Sequence, residues 1–220
     1  MKEEITGLIV TGGPINLTFA KDFILEKTFD HIIAVDGGLN AVSKLELIPD
    51  AIVGDFDSAD ESVLKEFKSR PLNTTWEIHK PEKDETDTEL AINTAIRLGC
   101  TKLILLGATG GRLDHFLGNL HLLYASLKQG VEAAIVDERN WITATDKERV
   151  FEADKIFGTY ISFLPLTEEV KGITLTGFKY PLHKKDITIG TSLCISNELT
   201  GASGKMTFDS GVLICVESRD

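Results

Sequence analysis

A mostly parallel α/β sheet domain followed by a smaller all-β module is the fold this sequence predicts, on three observations. Short apolar runs rich in β-branched residues alternate with helix-patterned segments through residue 137, the signature of strands joined by crossover helices. After about Trp141 the pattern changes to short alternating segments broken by Gly, Pro, Asn and Asp, which reads as β structure alone. The 220 residues are enough for two modest cores, so we read residues 1–140 as one domain and 141–220 as the other.

In order, Gly7 to Val10, Ile32 to Val35, Ala51 to Val53, Thr75 to His79, Leu103 to Leu106 and Ala133 to Val136 are the predicted strands of the first domain. Helices are predicted over Glu61 to Lys68, Thr88 to Leu98 and Phe116 to Gln129. Thr86 with Glu89 and Ser58 with Glu61 match the capping-box spacing at the starts of two of these helices. Gly99 and Gly130 sit just past two helix ends, where a left-handed residue is wanted. In the second domain the predicted strands are Thr159 to Leu164, Gly172 to Gly177, Asp186 to Ile189, Leu193 to Asn197, Lys205 to Asp209 and Val212 to Glu217. No Pro- or Ser-rich linker separates the halves.

Composition narrows the function classes. A net charge of −11 argues against a nucleic acid or an anionic membrane as partner. Met1 to Glu4 run directly into an apolar stretch too short for a signal peptide or a membrane span, so the expected location is cytoplasmic. Cys100, Cys194 and Cys215 are widely spaced and form no CxxC pair, which points away from a disulfide framework or a zinc site. The histidines show no ligand spacing; His115 alone adjoins a candidate site.

Clustered carboxylates are tolerated when their repulsion and desolvation are offset, and a divalent cation carrying phosphates offsets both. Gly54-Asp55-Phe56-Asp57-Ser58 follows a predicted strand. In extended backbone Asp55 and Asp57 point to one side and Phe56 to the other. The carboxyl end of a parallel strand is where an open α/β sheet places its ligands. Ser58 is read as a cap of the following helix. Asp84-Glu85-Thr86-Asp87-Thr88 precedes a helix whose N-terminus attracts its own acidic residues or a phosphate, and Asp87 fits either role. Gly107 to His115 follows the most apolar strand: Gly110 and Gly111 allow close backbone approach, Arg112 supplies a planar donor fork, and Asp114 is either a functional carboxylate or an N-cap. Thr11-Gly12-Gly13-Pro14 and Asp36-Gly37-Gly38 end strands of the same polarity, without GxGxxG spacing or a Walker A lysine.

These motifs in this order, with Gly177 to Leu182 and Ser196-Asn197-Glu198 in the β module, resemble the thiamine pyrophosphokinase family over essentially the whole chain. The resemblance implies transfer of pyrophosphate from ATP to the hydroxyethyl oxygen of thiamine, giving thiamine diphosphate and AMP. It implies a C-terminal β-sandwich and a homodimer whose active sites lie between the α/β domain of one subunit and the β domain of the other. By position, Asp55, Asp57 and Asp87 resemble Mg²⁺ ligands, and Asp57, Asp87, Arg112 and Asp114 the catalytic set. Asp36, Gly37, Gly110, Gly111 and Arg112 resemble the ATP contacts, and Tyr180, Ser196 and Asn197 the thiamine contacts. Some members of the family carry Trp where this chain has Tyr180.

Physical chemistry agrees with that assignment. An acidic site accepts ATP through Mg²⁺, which keeps few protein carboxylates and fills its shell with phosphate and water. Catalysis is then mainly positioning of the alcohol and stabilisation of charge, for which Arg112 is suited. A cationic thiazolium ring suits an acidic pocket with the π face of Tyr180. Which of Asp57, Asp87 and Asp114 accepts the alcohol proton is open at the level of sequence. Two other readings of the same motifs are an Mg-dependent nucleotide hydrolase and a non-catalytic nucleotide-binding module.

Overall fold

A computed structural model of the chain describes residues 4–71, 73–80 and 84–220. Met1 to Glu3, part of the stretch read for a signal peptide, lie outside the described residues. The chain divides into two compact units between Glu138 and Arg139.

In the first unit the described strands are β1 (Thr6–Val10), β2 (His31–Val35), β3 (Ala51–Gly54), β4 (Thr75–Ile78), β5 (Lys102–Leu106) and β6 (Glu132–Val136). They lie parallel in the order β4-β3-β2-β1-β5-β6. Central strands such as β1 and β5 are apolar along nearly their whole length because helices cover both faces of a parallel sheet. Leu8, Ile9, Ile33, Ile52, Leu103, Leu105 and Ile135 are fully buried there. The chain leaves β1 toward β2, β3 and β4 and then returns to place β5 on the other side of β1. Ligand crevices form at such a reversal.

Five helices are described in this unit: α1 (Leu17–Leu25), α2 (Gly38–Lys44), α3 (Glu61–Ser69), α4 (Asp87–Arg97) and α5 (Leu113–Lys128). The last three match expectation to within three residues at each end. The first two were not expected. α1 begins at Asn16, whose side chain accepts from Phe19 N at 3.2 Å, a cap without the Glu that completes a capping box. α2 starts on glycine, a poor helix former, directly from the Asp36-Gly37 turn. Thr86 caps α4 as expected, accepting from Glu89 N at 3.2 Å. Gly99 and Gly130 adopt the positive φ their positions after helices called for.

The second unit contains two antiparallel sheets. One joins β7 (Asn140–Thr145), β13 (Leu213–Ser218) and β9 (Tyr160–Pro165) in the order β7-β13-β9. The other joins β11 (Leu182–Thr188), β10 (Glu169–Thr176), β12 (Ser203–Thr207) and β8 (Arg149–Glu152) in that order. Phe151 of β8, Phe163 of β9 and Phe178 pack edge to face at 5.7, 5.9 and 5.8 Å, so a buried aromatic triad joins the inner faces of this β-sandwich. β7 and β8 were not expected. The segment Leu193 to Asn197, expected as a strand, is a turn with one bridge between Asn197 and Ile161; Ser196 takes a φ of 54°, which breaks the extended run.

Cys100, Cys194 and Cys215 are all buried free thiols, and burial pushes their pKa values up to about 11, 11 and 12.

Candidate active site

The loops after β1, β2 and β5, together with the N-terminus of α4, converge on a cavity of about 490 Å³ at the point where the strand order reverses. Asp36, Asp87, Gly110, Gly111 and Arg112 line it, as do Thr11 and Gly13. Thr11 anchors the first loop by donating from N to Leu106 O at 2.9 Å, which holds β1 and β5 in register at their ends. At Gly13 a Cβ would stand 2.1 Å from Gly107 O, so glycine alone lets these two loops close on one another.

Asp36 is the centre of the acidic side. It sits at the end of β2 with a φ of 45°, a left-handed position that Asp tolerates better than most residues. Its Oδ1 accepts Asp55 N at 3.0 Å and Phe56 N at 3.2 Å, and its carboxyl hydrogen-bonds that of Asp87. Two carboxyl groups in contact bond only by sharing a proton. Burial, then the bond to Asp87 and the nearby charges of Asp87 and Asp55, push Asp36 up to about 7. Gly54 closes against this group: with a φ of 143°, its Cβ would overlap Asp36 Oδ1 at 1.7 Å.

The Asp55 to Ser58 loop corrects two expectations. The strand ends at Gly54, and Phe56 has a φ of 65°, so the backbone is not extended and the alternation expected for Asp55, Phe56 and Asp57 does not hold. A left-handed residue of this kind costs roughly 1–2 kcal/mol. Phe56 meets Trp76 of β4 edge to face at 5.5 Å and 71°, a contact worth about 0.5–1.5 kcal/mol beyond its area, of the same order as that cost. Asp57 N then donates to Asp55 Oδ1 at 3.1 Å. Ser58 does not cap α3; its hydroxyl accepts Gly37 N at 3.0 Å and ties this loop to the one after β2. Asp60 holds the N-cap position of α3, without a side-chain cap bond.

On the basic side, Arg112 Nε and Nη2 donate to Asp114 Oδ1 and Oδ2 at 3.1 and 2.6 Å. This fork holds the exposed Asp114 carboxyl down to about 2. Arg112, not Asp114, is the N-cap of α5. Asp114 lies with His115 and Glu89 around a smaller, adjoining cavity of about 290 Å³.

The structure therefore joins Asp36, Asp87, Gly110, Gly111 and Arg112 around one cavity, reaches Asp55 through the Asp36 carboxyl, Asp57 through Asp55 and Gly37 through Ser58. Among the described residues no three His, Cys, Asp or Glu side chains already form a metal-holding group. The donors around Asp36 are nonetheless carboxylate oxygens suited to a hard cation, and the contact of the Asp36 carboxyl with that of Asp87, with Asp55 close by, gathers negative charge at the place a cation would neutralise.

In the second unit, Tyr180 is 57% exposed and Ser196 is exposed, whereas Asn197 is 2% exposed. Asn197 Oδ1 accepts Tyr180 N and Glu198 N, each at 3.0 Å, and its Nδ2 donates to Tyr180 O at 2.9 Å. Its amide thus holds the Tyr180 backbone in place.

Sequence reasoning missed the bridging role of Ser58, the packing of Trp76 on Phe56, and the presence of Asn119 at the cavity wall, where its Nδ2 donates to Ala108 O at 3.0 Å. The last had a faint signal, an amide in the second turn of the helix that follows a glycine loop.

Comparison with known proteins gives a consistent result. Residues 24–135 match the family model described as "Thiamin pyrophosphokinase, catalytic domain", and residues 146–213 match "Thiamin pyrophosphokinase, vitamin B1 binding domain". Thiamine pyrophosphokinase of Bacillus subtilis (strain 168) is 39% identical over 216 residues, covering 96% of this chain and 98% of its own. A crystal structure of thiamine pyrophosphokinase from Bacillus subtilis superposes with a TM-score of 0.85 at 37% identity, covering 98% of this chain and 99% of its own. That of thiamin pyrophosphokinase from Geobacillus thermodenitrificans gives 0.83 at 34% identity, covering 98% of each chain. Thiamin pyrophosphokinase from Candida albicans shares the fold at a TM-score of 0.80 with 16% identity, covering 98% of this chain and 90% of its own.

Proposed function

The chain belongs to the thiamine pyrophosphokinase family, and on that premise we propose that it transfers the pyrophosphoryl group of ATP to thiamine through the cavity of its α/β unit. It is a transferase of the kinase type. The observation that carries the site assignment is the convergence of Asp36, Asp87, Gly110, Gly111 and Arg112 on one cavity at the strand-order reversal, with the Asp55-Asp57 loop hydrogen-bonded to Asp36.

In this reading Asp55, Asp57 and Asp87 hold Mg²⁺, for which their hard oxygen donors fit. When bound, the ion neutralises phosphate charge and polarises the transferred group. Gly110 and Gly111 admit phosphate oxygens close to the backbone, and the α4 N-terminus beside Asp87 turns its positive end toward them. Arg112, whose fork is parked on Asp114, retains N–H groups for the phosphate chain. The thiamine hydroxyl oxygen bonds to the β-phosphorus, the bond between that phosphorus and the α–β bridging oxygen breaks, and AMP leaves. The hydroxyl proton passes to a carboxylate. The Arg112 fork occupies both oxygens of Asp114, so in this reading the acceptor is whichever of Asp57 and Asp87 has an oxygen free of the ion.

In the second unit Tyr180 offers its face to the thiazolium cation and Ser196 a hydroxyl, while Asn197 acts through Tyr180, whose backbone it holds. We assign two such chains to a homodimer with each active site built across the subunit interface. The exposed Leu113 and Leu117 at the start of α5, beside the cavity loops, support a covered surface there. Cytoplasmic location fits three free buried thiols, and among the described residues no helix is long and apolar enough to cross a membrane.

The test is an incubation with ATP, Mg²⁺ and thiamine. AMP and thiamine diphosphate are expected in equal amounts. ADP as product, or AMP formed without thiamine as a hydrolase would form it, overturns the assignment.

A further inference from the structure

We infer that Trp76 is a positioning residue for the carboxylates of the Asp55-Asp57 loop, acting through Phe56; the inference rests on the metal role given to those carboxylates above. Trp76 is not part of the cavity wall. It lies on β4, opposite Ile52 of β3, with its ring on Phe56 at 5.5 Å and Lys68 Nζ 5.6 Å from its centroid. Just past the end of β4, His79 N donates to O of Gly54, the last residue of β3 before the loop, at 3.1 Å.

Phe56 is the residue at which the loop reverses hand. Its φ of 65° separates Asp55, whose N–H is fixed on Asp36, from Asp57, whose N–H is fixed on Asp55. The directions of the two carboxylates therefore depend on the torsion at position 56. Glycine or asparagine adopts that torsion at less cost, yet the chain places an aromatic residue there. Strain of this kind persists where surrounding contacts over-determine it. The Trp76 ring is such a contact: it engages the Phe56 side chain while Asp36 engages the backbone of the same residue. Trp76 reaches the loop through that ring pair and the strand end rather than through the carboxylates, so its effect on chemistry is one of aim.

The experiment follows Mg²⁺ dependence in two ways. One is turnover with ATP and thiamine. The other is the rise in thermal midpoint that Mg²⁺ produces in the presence of α,β-methylene-ATP, whose bridge cannot be cleaved and which reports binding alone. For Trp76→Ala we expect the Mg²⁺ concentration at half effect to rise about tenfold in both readouts and kcat to fall about tenfold, with KM for thiamine nearly unchanged. Trp76→Phe, which keeps a ring, recovers most of the loss. Phe56→Gly removes the ring and relaxes the strain without touching β4, and serves if Trp76→Ala does not fold. The double variant is expected to be no worse than the poorer single one, because both act on one contact.

Parental Mg²⁺ dependence in Trp76→Ala, equal loss in Trp76→Phe, or losses that add in the double variant would each overturn the inference. Asp57→Asn in the same titrations separates the two levels. If it shifts Mg²⁺ dependence and Trp76→Ala does not, the inference alone fails; if it leaves the dependence unchanged, the metal reading fails and the inference with it.

Discussion

Asp36 concentrates the chemistry of the site in one side chain, because it holds the Asp55 loop through its Oδ1 while its carboxyl meets that of Asp87. Its folded pKa is raised to about 7 from the 3.8 of an ordinary aspartate, so between those values the folded state binds the extra proton and the unfolded state does not. Stability from this group is therefore full below about pH 4 and declines as pH rises toward 7. The metal-free Asp36→Asn variant, permanently neutral, should gain thermal midpoint relative to the parent across that window. Thermal melts at stepped pH in chelator check this; a constant difference between the two proteins would refute it. At Asp57 the expectation concerns rate: Asp57→Asn should fold normally and lose turnover by roughly two to four orders of magnitude in a thiamine-dependent AMP assay. Several residue roles were beyond sequence reading for a common reason. Ser58 reads locally as a cap, and it becomes a bridge because Gly37 approaches from a different strand. Asn197 resembles a thiamine contact in the sequence, and it is the turn that buries its amide against the Tyr180 backbone.

Elements carry the site because each parallel strand delivers one loop to the same edge. The strands of the first unit and α3, α4 and α5 were legible from apolar runs, the Thr86–Glu89 capping pair and the glycines after α4 and α5, since those signals are local. α1 and α2 were not legible, one having an isolated Asn cap and the other beginning on glycine, and both are decided by packing. The turn at Leu193 to Asn197 was mistaken for a strand because Leu193-Cys194-Ile195 is a genuine apolar run and the positive φ of Ser196 leaves no mark in sequence. Thr86→Ala should cost about 1 kcal/mol in denaturant unfolding, since its hydroxyl satisfies Glu89 N at the start of α4. Gly54→Ala should be worse, because the new methyl overlaps Asp36 Oδ1 where β3 ends. A stability loss of a few kcal/mol, with activity reduced at least about a hundredfold, is expected from melts and assay together.

At the scale of the whole molecule, the proposed function reconciles a net charge of −11 with an anionic substrate locally: Mg²⁺ held by the aspartates, the Arg112 fork and the α4 N-terminus would together offset the phosphate charge at the cavity. The dimer assignment is testable by complementation. Asp57→Asn and Tyr180→Ala protomers, each inactive alone, should recover activity when refolded together, toward about a quarter of the parental value at equal mixing, since half of a random pool is mixed dimer and each mixed dimer keeps one intact site. No recovery in dimers confirmed by light scattering would place both residues in one chain's site. The buried thiols extend this to the stability of each unit. Cys100 lies in the first unit, and Cys194 and Cys215 lie in the second. With their thiolates suppressed and their sulfurs covered, they react with alkylating agents only when the surrounding fold opens. Timed alkylation read by peptide mass thus turns three otherwise silent cysteines into separate clocks for the opening of the catalytic sheet and of the sandwich, in the native sequence and without a label.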